Sequence, residues 1–153
     1  MSKGETPMPC AFTDVYKRQL LLTRNDPLDA VWRESEIALD FARRAKNADV
    51  TDIIVSQQRF IATMQGRTVA FSTFSDAHFD EATFEAQIAG SQSLLTISWY
   101  WIVKLKARFL SGDYAEALAA ADKAKAVLWA SAHIQSVSYT HLDVYKRQGD
   151  DRG

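Results

Sequence analysis

The sequence predicts an all-α fold of stacked antiparallel helical hairpins with five main helices. Apolar residues recur at helical spacing through most of the chain, and short segments with glycine or capping residues separate the periodic stretches. The segment Leu105–Ser131 shows the pattern most clearly, because a tight turn at Ser111–Asp113 joins the end of one helix to a long alanine-rich helix. Gly112 suits a left-handed residue that ends the first helix, and Asp113 suits the cap of the second.

The alanine-rich helix is expected to turn a stripe of small and apolar residues toward its neighbour. At helical spacing the inward positions are Tyr114, Ala117, Leu118, Ala121, Ala124 and Leu128. Small side chains in this stripe allow a neighbouring helix to approach closely. The helix is predicted to end near Ala132–Gln135.

A first long helix is predicted over Pro27–Asn47. Asp26 is its expected cap, and proline suits the first helical position, where its missing N–H costs nothing. The apolar stripe comprises Leu28, Val31, Ala38, Leu39, Ala42 and Ala45. The preceding residues Leu20–Thr23 have the pattern of the last turn of an earlier helix.

A second helix is predicted over Val50–Gln65, capped by Asp49 and ended by Gly66. Its apolar face comprises Val50, Ile53, Ile54, Phe60, Ile61 and Met64. The connection Arg67–His78 contains a short apolar run but no partner strand, so it is expected to be an ordered loop. Its predicted anchors are Phe71, Phe74 and Phe79.

A short third helix is predicted over Asp80–Ala89, ended by Gly90. Either Asp80 or Asp76 can cap it. Its predicted core contacts are Phe84 and Ile88.

The fourth helix is predicted over Leu94–Leu110. Its middle, Thr96–Val103, has strong strand propensity, but the apolar pattern continues too far for an average strand. Because this helix is apolar nearly all round, we expect it to be the central and most buried one.

Composition excludes several classes of protein. The chain has 153 residues, and its net charge of −1 provides no basic field for nucleic acid or an anionic membrane. The single cysteine, Cys10, excludes an internal disulfide and a cysteine-rich metal site. The most apolar run, Leu94–Val103, is about half of the ~20 residues that a membrane span needs. The N-terminus has no long apolar stretch typical of a signal peptide, so the expected location is the cytoplasm.

The two ends of the chain are expected to be non-native. The hexapeptide DVYKRQ occurs at both Asp14–Gln19 and Asp143–Gln148, with almost no similarity around it. The longer form, Ser138–Gln148, resembles a tail found on unrelated metagenomic reading frames, which is similar to translated adapter or assembly sequence. A duplicated basic docking peptide is the alternative. We therefore assign 1–19 and 136–153 as non-native tails and 20–135 as the helical fragment.

An internal repeat supports the stacked-hairpin prediction. Leu21–Leu39 aligns without gaps on Phe109–Val127, and both segments contain an apolar pair, a short turn, a capping aspartate and a long helix. The sequence GDYAEALAAADKA at Gly112–Ala124 resembles the turn and second helix of a tetratricopeptide repeat. That resemblance implies an α-solenoid.

A wider resemblance covers Asn25–Gln135. It is carried by Asp26–Ala45, Asp52–Thr68, Phe79–Gln87 and Trp99–Gln135. These segments are similar to a helical region of very large bacterial signalling proteins that join a serine/threonine kinase, an AAA-type ATPase, helical repeats, a GAF domain and a sensor histidine kinase. The resemblance implies an internal fragment of such a kinase. No kinase or ATPase motif lies inside the chain, so no catalytic residue can be assigned.

No catalytic, cofactor-binding or metal-binding residue is predicted. The GxxxxGK[ST] spacing of a phosphate loop is absent, and the three histidines, His78, His133 and His141, lack zinc-site spacing. Glu81 and Glu85 share a helix face, and paired carboxylates can perform acid–base chemistry. A solvated helix N-terminus, where the helix dipole favours negative charge, is the preferred interpretation.

The sequence therefore predicts a non-catalytic scaffold. Its expected partners are neighbouring domains of a parent signalling protein or a protein or peptide bound on the concave face of the hairpins. The alternative is a stand-alone helical ligand-binding protein or enzyme that uses the aromatic segment Trp99–Trp101, although a core role for these aromatics is favoured.

Overall fold

The computed structural model describes residues 26–131 of the chain. These residues contain five α-helices. They are α1 Leu28–Arg44, α2 Ala48–Met64, α3 Glu81–Ala89, α4 Leu94–Leu110 and α5, which is helical over 114–131. No strand occurs within these residues, and the all-α prediction is confirmed. The predictions for 1–19, for Leu20–Thr23 and for 132–153 lie outside the described residues.

The start of α1 differs from the prediction. Pro27 is the residue that precedes the helix, and no side chain caps it, so Asp26 does not have the expected role. The proline carbonyl instead accepts the first helical hydrogen bonds, from the N–H groups of Ala30 (2.9 Å) and Val31 (3.2 Å). The residues buried on this helix are Val31, Ser35, Leu39 and Ala42, whereas the predicted Ala45 is exposed.

The turn between α1 and α2 is tighter than predicted. Lys46 has a left-handed conformation with φ of 52°, which ends α1 at Arg44 rather than at Asn47. The side chain of Asn47 then accepts a hydrogen bond from the N–H of Val50 at 3.1 Å. Asn47 therefore caps α2, and the predicted cap, Asp49, lies in its first turn.

The most buried helix is α2 and not α4. Eleven residues of α2 are buried, against seven of α4. The reason is its position, because α2 packs against α1 and also against α4. By contrast, α4 leaves part of its surface uncovered, at Leu95, Ile102, Phe109 and Leu110.

The loop after α2 is ordered, as predicted, and begins at Gly66, whose φ of 68° ends the helix. Phe74 is fully buried and Phe79 is partly buried, so both anchor the loop. Phe71 is not an anchor, because half of it is exposed. The loop is also tied to the turn after α4, where the Ser111 hydroxyl donates to the Phe71 carbonyl at 2.7 Å.

Both ends of α4 lie where the sequence predicted them. The Ser93 side chain accepts from the Thr96 N–H and caps the helix. Gly112, with φ of 78°, makes the predicted left-handed turn, and Asp113 accepts from the Glu116 N–H at 3.3 Å to cap α5. On α3, Asp80 rather than Asp76 is the cap, and it accepts from the Thr83 N–H.

The buried stripe of α5 consists of alanines. Ala117, Ala120 and Ala124 are at most 4% exposed. The predicted inward residues Tyr114, Leu118 and Leu128 are at least half exposed, so that part of the prediction is wrong. The helix therefore turns its smallest side chains inward and its larger ones outward.

The core has two clusters. The first comprises Phe60, Phe74, Phe84, Ile88, Tyr100, Val103 and Ala107, and the second comprises Leu39, Ala42, Val50, Ile53 and Ile54. Val55 and Trp99 pack against both. Phe84 and Ile88 are buried as predicted. The core thus runs continuously from the α1–α2 hairpin through α4 to α3.

Candidate functional site

A cluster of four charged side chains, two buried cations and two partly buried carboxylates, joins α3 to α4. Glu81 and Glu85 lie one turn apart on α3, and Lys104 and Arg108 lie one turn apart on α4. Lys104 contacts both carboxylates, at 2.7 Å from Glu81, and Arg108 lies 2.5 Å from Glu81. The cluster is electrically neutral, because it holds two cations and two carboxylates.

Three neutral groups also donate hydrogen bonds to the two carboxylates of this cluster. The second oxygen of Glu81 accepts from the Thr73 hydroxyl at 2.9 Å and from the Phe74 N–H at 2.8 Å. The Tyr100 hydroxyl donates to Glu85 at 2.7 Å. Glu81 therefore joins the loop, α3 and α4 at one point.

The environment of Glu81 keeps it charged. Burial, the largest single contribution, raises its pKa, but the opposing contributions of Lys104, the Phe74 N–H and Arg108 together lower the pKa to about 2. Burial and the hydrogen bond to Glu85 raise the pKa of Tyr100 above its usual range. A carboxylate with such a low pKa is a poor general base near neutral pH.

The solvated-helix interpretation of Glu81 and Glu85 is therefore wrong. The side chain of Glu81 is only 12% exposed, and Arg108 is 2% exposed. The sequence held one signal that was missed: two carboxylates spaced i, i+4 on one helix and two cations spaced i, i+4 on the next. Charge pairs with matching spacing can align across adjacent helices.

The aromatic segment of α4 belongs largely to the core. Tyr100 is fully buried and makes edge-on contacts with Phe74 and Phe84, with ring centroids 6.2 Å and 5.6 Å apart. Trp99 and Trp101 are partly buried and pack against the core clusters. None of the three lines either cavity described below.

A cavity of about 330 Å³, called here the arginine cavity, lies between the α1–α2 hairpin and the loop after α2. Its apolar wall comprises Trp32, Leu39, Val55, Ala62 and Phe79, and its polar residues are Arg43, Gln58, Arg59, Arg67, Asp76 and His78. Two of the arginines stack on aromatic rings, Arg67 on Trp32 at 3.9 Å and Arg59 on Phe79 at 4.6 Å.

Asp76 is the only carboxylate among the residues that line this cavity. It bonds to Arg59 at 2.5 Å and accepts from the His78 N–H at 2.7 Å. The His78 N–H first, and then Arg59, lower the pKa of Asp76. The cavity therefore has an excess of positive charge on an apolar wall.

An open apolar groove of about 460 Å³ lies between α4 and α5. The residues that line it are Ile102, Leu105, Ala121, Ala124, Lys125, Leu128 and Trp129. The buried Ala124 forms part of the floor, and the exposed Ile102, Leu128 and Trp129 form the edges. Lys125 is the only charged residue among them.

Metal ligands are not gathered anywhere in residues 26–131, where no three histidine, cysteine or acidic side chains could hold one ion. His78 lines the arginine cavity, and His133 and His141 lie outside the described residues. No helix in the described part of the chain combines the length and apolar character needed to cross a membrane.

Comparison of the chain with protein-family models, curated proteins and solved structures finds no match.

Proposed function

We propose that this chain is a non-catalytic helical segment that docks a partner helix and so positions neighbouring domains of a large signalling protein. The observation that carries the proposal is the apolar groove between α4 and α5. Ile102 is 43% exposed, Leu128 50% and Trp129 67% along one continuous surface. Apolar side chains grouped in a groove are typical of protein-interaction sites.

The lining of the groove favours an amphipathic helix as its occupant. Ala121 and Ala124 are small, so they allow a second backbone to approach closely. The larger Ile102 and Leu128 on either side can pack between the residues of an apolar stripe spaced i, i+3, i+4 and i+7. Because the charged edge residue is Lys125, the partner helix should carry an acidic flank beside its stripe.

Binding of a designed helical peptide tests this assignment. A fluorescently labelled peptide with a leucine stripe and glutamate flanks should bind the full chain saturably in an anisotropy titration. The same peptide with lysine flanks should bind a few-fold more weakly, because its positive flanks repel Lys125 and an exposed charge pair contributes less than about 1 kcal/mol.

Two exposed leucines of α5 provide matched variants. Leu128→Glu places a charge in the groove and should weaken binding about tenfold or more. Leu118→Glu makes the same change on a residue that is 68% exposed and does not line the groove, so binding should be unchanged. Equal affinity of both peptides for all three proteins would contradict the proposal.

The proposed parent is a multidomain signalling protein with kinase and ATPase domains. The segments between Asn25 and Gln135 that resemble such proteins support this assignment. The test is the genomic sequence on either side of the native coding region. Kinase and ATPase motifs in the same reading frame are expected, and an unrelated flanking frame would overturn the assignment.

A further inference from the structure

The arginine-lined cavity between the α1–α2 hairpin and the following loop is separate from the groove between α4 and α5. We propose that this cavity is a binding site for a phosphate monoester, carried by a small molecule or by a phosphorylated peptide side chain. Three arginines and one aspartate line it, which gives a net charge of two positive when His78 is neutral. A phosphate monoester carries nearly two negative charges at neutral pH.

Two of the arginines are held in fixed positions by contacts with neighbouring side chains. The guanidinium of Arg67 is stacked on Trp32, and that of Arg59 is stacked on Phe79 and bonded to Asp76. A planar guanidinium that is already held in position loses less conformational entropy when it binds an oxyanion. Arginine can also contact two phosphate oxygens at once.

Arg59 is the most enclosed of the three arginines. Its side chain is 13% exposed and is bonded to Asp76, whereas Arg43 and Arg67 are exposed. A guanidinium in such a partly desolvated position interacts more strongly with an oxyanion than one in open water, because the local dielectric constant is lower.

The volume and the apolar wall of the cavity favour a ligand that is larger than inorganic phosphate. A volume of about 330 Å³ is at the lower end of the range for small-molecule sites. Trp32, Leu39 and Phe79 form an apolar surface beside the charged groups. A phosphate attached to a small apolar or aromatic group fits both parts of the cavity.

Calorimetric titration of the full chain with phenyl phosphate tests the proposal. Phenyl phosphate should bind at least about tenfold more tightly than inorganic phosphate, which cannot use the apolar wall, and than benzoate, which has one charge. Equal binding of benzoate would overturn the assignment of a dianion. Equal binding of inorganic phosphate would overturn the role of the apolar wall.

Arginine variants separate this site from general surface charge. Arg67→Ala and Arg43→Ala should each weaken phenyl phosphate binding roughly ten- to a hundredfold, because each removes a cationic hydrogen-bond donor. Both residues are exposed and should be replaceable without loss of the fold. Arg33→Ala is the matched control, since Arg33 is exposed on α1 but does not line the cavity.

Parallel titrations distinguish the two sources of the phosphate. A short phosphoserine peptide that binds more tightly than phenyl phosphate would assign a phosphorylated protein, and the reverse order would assign a small phosphorylated molecule. Absence of binding by both probes, or equal weakening by Arg33→Ala and Arg67→Ala, would overturn the proposal.

Discussion

At the scale of single residues, Glu81 contributes most to fixing how the loop and α3 pack against α4. Its carboxylate bonds to Lys104 and Arg108 on α4 and to Thr73 and Phe74 in the loop. A buried ion pair contributes little net stability relative to an apolar replacement, but removal of one partner leaves an uncompensated charge. The residue therefore matters most for fixing the position of the loop and α3.

Glu81→Gln should strongly destabilise the protein. The amide keeps the shape of the side chain but leaves Arg108, which is 2% exposed, without its carboxylate partner. We expect a loss of about 3 kcal/mol in the free energy of unfolding, measured by urea denaturation near neutral pH. Glu36→Gln, on the exposed face of α1, should change it by less than about 0.5 kcal/mol. Equal effects of the two substitutions would contradict the assigned role of the cluster.

The pH dependence of stability provides a second prediction. The pKa of Glu81 is about 2 in the folded protein and 4.5 in a model peptide, so protonation favours the unfolded chain. Its contribution is complete above about pH 4.5 and disappears as the pH falls toward 2, for a total of about 3 kcal/mol. Urea denaturation over this range should show a steeper fall for the wild type than for Glu81→Gln. Parallel curves would contradict the low pKa.

The spacing of Glu81 and Glu85 places them on one helix face, and this face was expected to meet solvent. The pattern of one helix does not specify which neighbour covers it. The cations Lys104 and Arg108 follow these carboxylates by 19 to 27 residues, on a helix whose sequence is apolar nearly all round. Because they sit among aromatic and aliphatic residues, their charge was the informative feature of that helix.

At the scale of elements, helix type and number were easier to predict than orientation. Both ends of α4 were predicted correctly, because the apolar pattern begins at Leu94 and Gly112 provides a distinct signal after the last turn. The start of α2 was predicted incorrectly. Asn47 and Asp49 are both good caps, and the turn geometry selects between them. Propensity alone does not resolve two such candidates so close together.

The orientation of α5 shows the same limit. Alanine and leucine stripes both follow helical spacing, and the sequence does not specify which one meets α4. In the structure the alanines face inward and the larger residues form the outer surface. That outcome also creates the edges of the proposed docking groove.

The buried alanine stripe leads to a prediction for this element. Ala117 is 3% exposed, so Ala117→Arg should bury an unpaired charge and destabilise the protein by about 3 kcal/mol or more. Ala119→Arg changes an exposed residue of the same helix and should have little effect. Thermal unfolding of both variants checks this, and similar melting temperatures would show that the stripe is not a tight contact.

At the scale of the whole molecule, residues 26–131 form an all-α structure with two surface features of different chemistry. The arginine cavity is positive and partly enclosed, whereas the α4–α5 groove is open and apolar. The helical composition was predictable from sequence periodicity. Neither surface feature could be predicted in this way. Each is formed by residues on separate elements, and the sequence does not specify the relative positions of those elements.

We propose that the α4–α5 groove is a docking surface for an apolar helix. Without its partner, such a surface should associate weakly with a second copy of the chain. Sedimentation velocity at increasing protein concentration tests the claim most directly. We predict a concentration-dependent increase in mass that Leu128→Glu abolishes, that Leu118→Glu leaves unchanged, and that the acidic helical peptide reverses. A monomer at every concentration, or association that is insensitive to Leu128→Glu, would contradict the account.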